Sequence, residues 1–272
     1  MIKFLWSVCT LVVLSLVNSA VKAQIPDKPT ASATPLANAH AHNDYEHTRP
    51  LLDALDHGFT SIEADVFLVE GQLLVAHNLL DVSKERSLEK LYFQPLQERA
   101  RANNGRVYKD GPTITLLVDI KTNGAAAYAS LHNLLAQFDS LISVTQDGEY
   151  TEKAVTVIIS GDRPIQEIED SKPRRVGIDG RVIDLDSDKP AALLPLISDN
   201  WTNHFRYRGV GPMPDAEREK LHDMVGRAHS KNRRIRFWAT PENPVLWKEL
   251  KDAGVDLIGT DDLAKLSTFL RT

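Results

Sequence analysis

From residue 36 to residue 270, short apolar runs alternate with stretches of helical period, and this alternation restricts the chain to few architectures. A strand, a helix and a further strand in succession bring the second strand back parallel to the first. Strands are expected at Leu36–Ala41, Thr60–Val66, Thr115–Ile120, Ala154–Ser160, Arg181–Leu185, Leu194–Ser198, Arg234–Trp238 and Asp256–Thr260. Helices are expected at Arg49–His57, Ser87–Asn103 (broken at Pro95), Ala125–Phe138, Pro164–Asp170, Asp215–Lys231, Pro244–Ala253 and Leu263–Leu270. Gln72–Ala76 adds a short run, joined to the second strand by a Glu70-Gly71 turn. Eight strands match a single-domain TIM-type (β/α)8 barrel. The competing architecture is an open doubly wound sheet, but no Gly-rich phosphate loop follows any strand to support it. Leu185–Leu194 is too short for a crossover helix and is expected to be a turn or irregular bridge.

Residues 1–23 have the pattern of an export signal: Lys3, an apolar run over Phe4–Val17, and small residues around Val21-Lys22-Ala23. The run falls short of the ~20 residues of a bilayer span. Cleavage after Ala23 would leave 249 residues, place the protein in a periplasm or outside the cell, and remove Cys9, the only cysteine. No disulfide or thiolate chemistry is then expected. Loss of Lys3 and Lys22 takes the formal charge from −5 to −7, which speaks against a nucleic-acid partner. Residues 24–35 are expected to be a flexible leader, with the barrel over residues 36–272.

A barrel of this type builds its site at the C-terminal ends of its strands, and polar residues gather there. Strand one runs into His42-Asn43-Asp44, strand three ends in Asp119-Ile120-Lys121, and the run beside strand two ends in His77-Asn78. Strand four ends in Ser160-Gly161-Asp162, strand five at Asp184 and Asp186, strand six in Ser198-Asp199-Asn200. Glu63 and Asp65, two apart on a strand, share a face. Two such carboxylates repel unless a cation joins them, and a hard divalent ion held by oxygen answers that need, with Asp119 as a third ligand. The other reading pairs them with Lys or Arg. His42 and His77 can flank the ion as acid and base, or be structural. Asn43 and Lys121 can donate to anionic oxygens, although Lys121 can equally partner Asp119 or Glu63. Trp238 can stack on a substrate or plug the barrel mouth. His40 is expected on the opposite face of the strand end, as a supporting neighbour. His132, His222 and His229 fall on helices, His47 and His57 at the periphery, and Lys231-Asn232-Arg233-Arg234 is expected to be a solvated helix end.

In order along the chain, His42-Asn43-Asp44, Glu63-Ala64-Asp65, His77-Asn78, Asp119-Ile120-Lys121, Trp238-Ala239-Thr240 and Gly254–Asp261 resemble the glycerophosphodiester phosphodiesterase family, within the phospholipase-C-like phosphodiesterase barrels. The family pattern has His-Arg-Gly, His-Asp and Glu-x-Lys where this chain has Asn43, Asn78 and Asp119. With Asp44-Tyr45-x-His47 following His42, the chain is more similar to the altered inheritance of mitochondria protein 6 branch. The resemblance implies a phosphoric diester hydrolase acting on a glycerophosphodiester or a phospholipid-type headgroup, including one presented at a membrane surface. It implies Ca2+ or Mg2+ held by Glu63, Asp65 and Asp119, His42 and His77 as general acid and base, and substrate contacts from Asn43, Lys121 and Trp238. One competing class is a metal-dependent amidohydrolase or phosphomonoesterase built on His40-Ala41-His42, which lacks further histidines at later strand ends. Another is a headgroup-binding barrel without turnover.

Overall fold

The computed structural model describes residues 33–272, so the expected signal and most of the expected leader lie outside the described residues. Eight parallel strands close into a barrel: β1 Leu36–Ala41, β2 Phe59–Val69, β3 Ile114–Ile120, β4 Val155–Gly161, β5 Val176–Gly180, β6 Leu196–Asn200, β7 Arg234–Trp238 and β8 Leu257–Thr260. Each pairs with its successor, and β1 pairs with both β2 and β8, which closes the ring. Strands buried on both faces require near-continuous apolar runs, and Thr115–Ile120 and Val155–Ile159 supply them. Gln72–Val75 folds back antiparallel on the end of β2 through the expected turn, where Glu70 and Gly71 both adopt positive φ.

The main core lies between strands and helices. Leu117, Ile158, Leu196 and Leu257 form a separate buried cluster. Leu117 shares a face of β3 with Asp119, Ile158 a face of β4 with Ser160, and Leu196 a face of β6 with Ser198. The barrel interior therefore carries apolar side chains toward its N-terminal end and polar ones toward the C-terminal mouth.

Four expectations of the fold need correction. The fifth strand is Val176–Gly180, and Val182–Asp184 is a 3-10 turn whose Asp184 carboxylate accepts the Arg181 N–H at 2.9 Å. Close packing explains the glycines that hid this strand. A Cβ on Gly177 would meet Pro195 at 2.6 Å, and one on Gly180 would meet Ile197 at 2.7 Å. Asp186, expected at the mouth, pairs instead with Arg227 at the surface. Pro95 does not break its helix. A wide π turn over Glu89–Phe93 precedes Gln94–Ala102, so the proline falls in the first turn of the α segment, where its missing N–H costs nothing.

Residues 185–194 do form an irregular bridge, and its support is the fourth correction. Arg233 is no solvated helix end: it is 1 % exposed and donates to the carbonyls of Asp184, Leu185, Ser187 and Lys189 at 2.5–3.1 Å. Arg234 is directed inward too, toward Thr115 Oγ1 at 2.7 Å. Arg233→Leu should strand four carbonyls and destabilise the protein by about 3 kcal/mol, or roughly 6–12 °C in Tm, readable by thermal denaturation.

Candidate active site

Strand register places the acidic residues. Asp65 on β2 lies level with Asp119 on β3, and Asp119 with Ser160 on β4. Glu63, one inward position below Asp65, completes a group in which one carboxylate oxygen from each residue lies within 4.8 Å of the others. Lys121 reaches Oδ2 of both Asp65 and Asp119 at 2.7 Å. Burial works against the Lys121 ammonium, but these two carboxylates outweigh it and raise its pKa. Oδ1 of Asp65 and Oδ1 of Asp119 are buried without a hydrogen-bond partner among the described residues. Two orphaned anionic oxygens beside a third carboxylate are the donor set of a hard divalent cation, so these residues fit such an ion.

The acids that fit a cation are also paired with basic side chains, as the other reading expects. Glu63 Oε2 takes Arg236 Nη2 at 3.0 Å and His40 Nε2 at 2.9 Å. Burial opposes its charge, but Arg236 and His40 hold the carboxyl well below the usual range. For Asp65, burial raises the pKa more than the hydrogen bonds from Lys121 and Tyr45 lower it. A bound cation would favour its charged form.

His40 is not on the opposite face. Residues 40 and 42 alternate as neighbours on one face of β1. His40 is fully buried, with Nδ1 on Ser61 Oγ at 2.7 Å and Nε2 on Glu63. Burial, then the nearby Arg236 charge, lowers its pKa to about 3, so the imidazole is neutral at pH 7.

His42, Asn43, Glu63, His77, Asp119, Lys121 and Trp238 all line one cavity of about 250 Å3 at the barrel mouth, with Asp65 buried beside it. His42 also borders a smaller cavity of about 150 Å3 shared with Trp238, Glu242 and Asp261. Its Nδ1 meets Asp261 Oδ1 at 2.7 Å, which fixes the proton on Nδ1 and leaves the Nε2 lone pair free. His77 Nδ1 lies 2.9 Å from the Tyr45 hydroxyl, which donates to Asp65 Oδ2 at 2.6 Å. Asn43, at φ 48°, spends its Oδ1 on the same hydroxyl at 2.8 Å. Trp238 is 39 % exposed at the rim and borders both cavities.

Asp44 turns away from the mouth. It is fully buried and accepts from the Leu51 N–H at 2.6 Å and the Tyr92 hydroxyl at 2.9 Å, anchoring the loop that carries Asn43 and Tyr45. Burial raises its pKa to about 6, beyond what those bonds lower. A raised acid pKa stabilises the fold below the unfolded value near 3.8, and that contribution is lost as pH rises through 6. The stability of wild type relative to Asp44→Asn should therefore fall by roughly 2 kcal/mol between pH 4 and pH 7, measured by denaturant titration.

Residues missed from the sequence are Tyr45, Arg236, Asp179 and Arg181, while Asp261 stands at the end of strand eight without a role assigned to it. Arg236 carried a signal: it lies two before Trp238 on a strand, hence on the same inward face. Asp179 was concealed by the misplaced fifth strand. Gly161 has a steric role, because at φ 69° its absent Cβ would fall 2.0 Å from Asp119 Oδ1 and 2.2 Å from the Ile120 carbonyl. Gly161→Ala should displace the Asp119 carboxylate and lower divalent-ion affinity roughly tenfold or more, readable by calorimetry.

A model of the family described as AIM6-like phosphodiesterase domain matches residues 29–179, more than half of the chain. One of the Glycerophosphoryl diester phosphodiesterase family matches residues 234–264. The altered inheritance of mitochondria protein 6 homolog of Arthroderma benhamiae is 27% identical over 88% of this chain and 85% of its own length. Its counterpart from Eremothecium gossypii is 28% identical over 89% of this chain and 72% of its own. A crystal structure of a glycerophosphodiester phosphodiesterase from Parabacteroides distasonis shares the fold, with a TM-score of 0.52 at 16% identity over 88% of this chain and 98% of that one. Barrel, ordered motifs and family match agree: the chain belongs to the AIM6-like phosphodiesterase domain family, within the glycerophosphodiester phosphodiesterase and phospholipase-C-like superfamily.

Proposed function

We propose that the protein is a divalent-cation-dependent phosphoric diester hydrolase acting on a glycerophosphodiester or phospholipid-type headgroup. The observation that carries this reading is the pair of orphaned carboxylate oxygens on Asp65 and Asp119, beside Glu63 at a cavity that His42 and His77 also line. Glu63, Asp65 and Asp119 would hold Ca2+ or Mg2+, which when bound polarises a phosphoryl oxygen and offsets charge in the transition state. His42, with its proton kept on Nδ1 by Asp261, accepts a proton at Nε2 from the attacking oxygen. His77, braced through Tyr45 against Asp65, delivers a proton from Nε2 to the leaving alkoxide. Lys121, held between the two aspartates, offers positive charge to the phosphate, and Trp238 offers a stacking surface at the rim. Asn43 lines the cavity as a polar substrate contact. The engagement of both His40 nitrogens weighs against a nitrogen-held metal on His40-Ala41-His42.

Hydrolysis of bis(p-nitrophenyl) phosphate, compared with p-nitrophenyl phosphate, tests this reading. Turnover of the diester in preference to the monoester, abolished by EDTA, is expected. No diester turnover with any divalent ion would overturn it, and a zinc-dependent monoester preference would favour the rival metal class. Export is proposed on residues 1–23 alone, and cell fractionation with N-terminal sequencing of the product checks it.

A further inference from the structure

Across the cavity from the acidic cluster lies a second group of buried charges that the chemistry above leaves unused. Asp179 is 1 % exposed at the mouth end of β5. Its carboxylate accepts from Ser160 Oγ at 2.8 Å and Ser198 Oγ at 2.5 Å, and it pairs with Arg181 Nη1 at 2.9 Å. Arg181 Nη1 is further tied to the carbonyls of Asp179 and Gly180. These contacts saturate one end of the guanidinium and fix its direction. Among the described residues Nη2 is left with a single contact, 3.5 Å from Ser160 Oγ, on a side chain that lines the cavity. Arg163 also donates to the backbone carbonyl of Asp179, which brings a second guanidinium to this wall.

A second observation points the same way. Arg236 is 3 % exposed and lines the same cavity, yet its Nε and Nη1 have no hydrogen-bond partner among the described residues. Only its Nη2 is engaged, by Glu63. Buried guanidinium N–H groups without acceptors are costly, and an oxyanion is the ligand that satisfies them. Lys121 differs, because its ammonium is already divided between two carboxylates.

We propose that Arg181, aimed by Asp179, Ser160 and Ser198, together with Arg236, is an oxyanion-binding wall of the site. The inference rests on the phosphodiester reading for its substrate. The oxyanion is either the reacting phosphate itself or a second acidic group on the same substrate. Arg181 is a binding residue, and Asp179 is a positioning residue that acts through it.

Calorimetric titration with inorganic phosphate, in the presence of Mg2+, tests the wall without requiring turnover. Wild type should bind, Arg181→Met should bind roughly 10–100-fold more weakly, Arg181→Lys should fall between them, and the exposed Arg101→Gln should match wild type. If Arg181→Met does not fold, the paired Asp179→Asn/Arg181→Met, which removes both charges, takes its place. Wild-type phosphate affinity in a folded Arg181 variant overturns the proposal. Kinetics then separate the two sources. Equal losses in kcat/KM for bis(p-nitrophenyl) phosphate and for a p-nitrophenyl phosphodiester of serine assign Arg181 to the reacting phosphate. A loss confined to the serine diester assigns it to a second acidic group. Asp179→Asn should raise KM several-fold with a smaller change in kcat; the opposite split removes its positioning role. Failure of the phosphodiesterase reading shows separately, as no turnover of either diester by wild type, while phosphate binding still reports on Arg181.

Discussion

Asp65→Asn is expected to lower kcat/KM for phosphodiester hydrolysis by about 10³-fold or more, from steady-state rates at saturating Mg2+. Asp65 is where the components of the site meet. Its Oδ2 receives Lys121 and Tyr45, and its Oδ1 has no partner among the described residues. An amide can keep the shape and the Tyr45 hydrogen bond. It loses the negative charge that would hold the cation and that Lys121 answers. The variant should also lose measurable Mg2+ binding while keeping its fold, because burial already disfavours the Asp65 charge. A variant with full activity would remove Asp65 from the cation site.

His42→Ala should cost roughly 10²–10⁴-fold in kcat with divalent-ion affinity unchanged, since its imidazole touches none of the three carboxylates in the acidic group. Asp261→Asn should cost less. It leaves the imidazole in place but removes the carboxylate that holds the proton on Nδ1. The two variants thus separate proton transfer from cation binding. Calorimetry with Mg2+ alongside the kinetics reads both, and a His42→Ala protein that fails to bind Mg2+ would contradict the separation.

The barrel was legible because burial on both faces leaves parallel strands almost no choice of residue, as in Thr115–Ile120 and Val155–Ile159. The same logic failed at Val176–Gly180. There packing requires glycines under Pro195 and Ile197, and a strand of small residues around a buried aspartate carries no apolar run. The acidic group was legible because Glu63 and Asp65 stand as two charges on one face of an otherwise apolar strand. Its counter-charges were not. Arg236 reaches Glu63 from 173 residues further along the chain, and nothing local distinguishes an inward arginine within the basic run that begins at Lys231. Arg233 makes the same point, for its partners are backbone carbonyls with no sequence signature. His40 was assigned to the wrong face although alternation along β1 places it beside His42.

The most direct test is a restoration titration. The protein is stripped with EDTA and dialysed, and Mg2+ or Ca2+ is added back while bound ion and bis(p-nitrophenyl) phosphate hydrolysis are followed together. Hydrolysis should vanish on stripping and return in step with one bound ion per chain, and neither binding nor activity should return in Asp65→Asn. Hydrolysis that survives stripping, or that returns in Asp65→Asn, would contradict a reaction carried out beside a cation held by Glu63, Asp65 and Asp119.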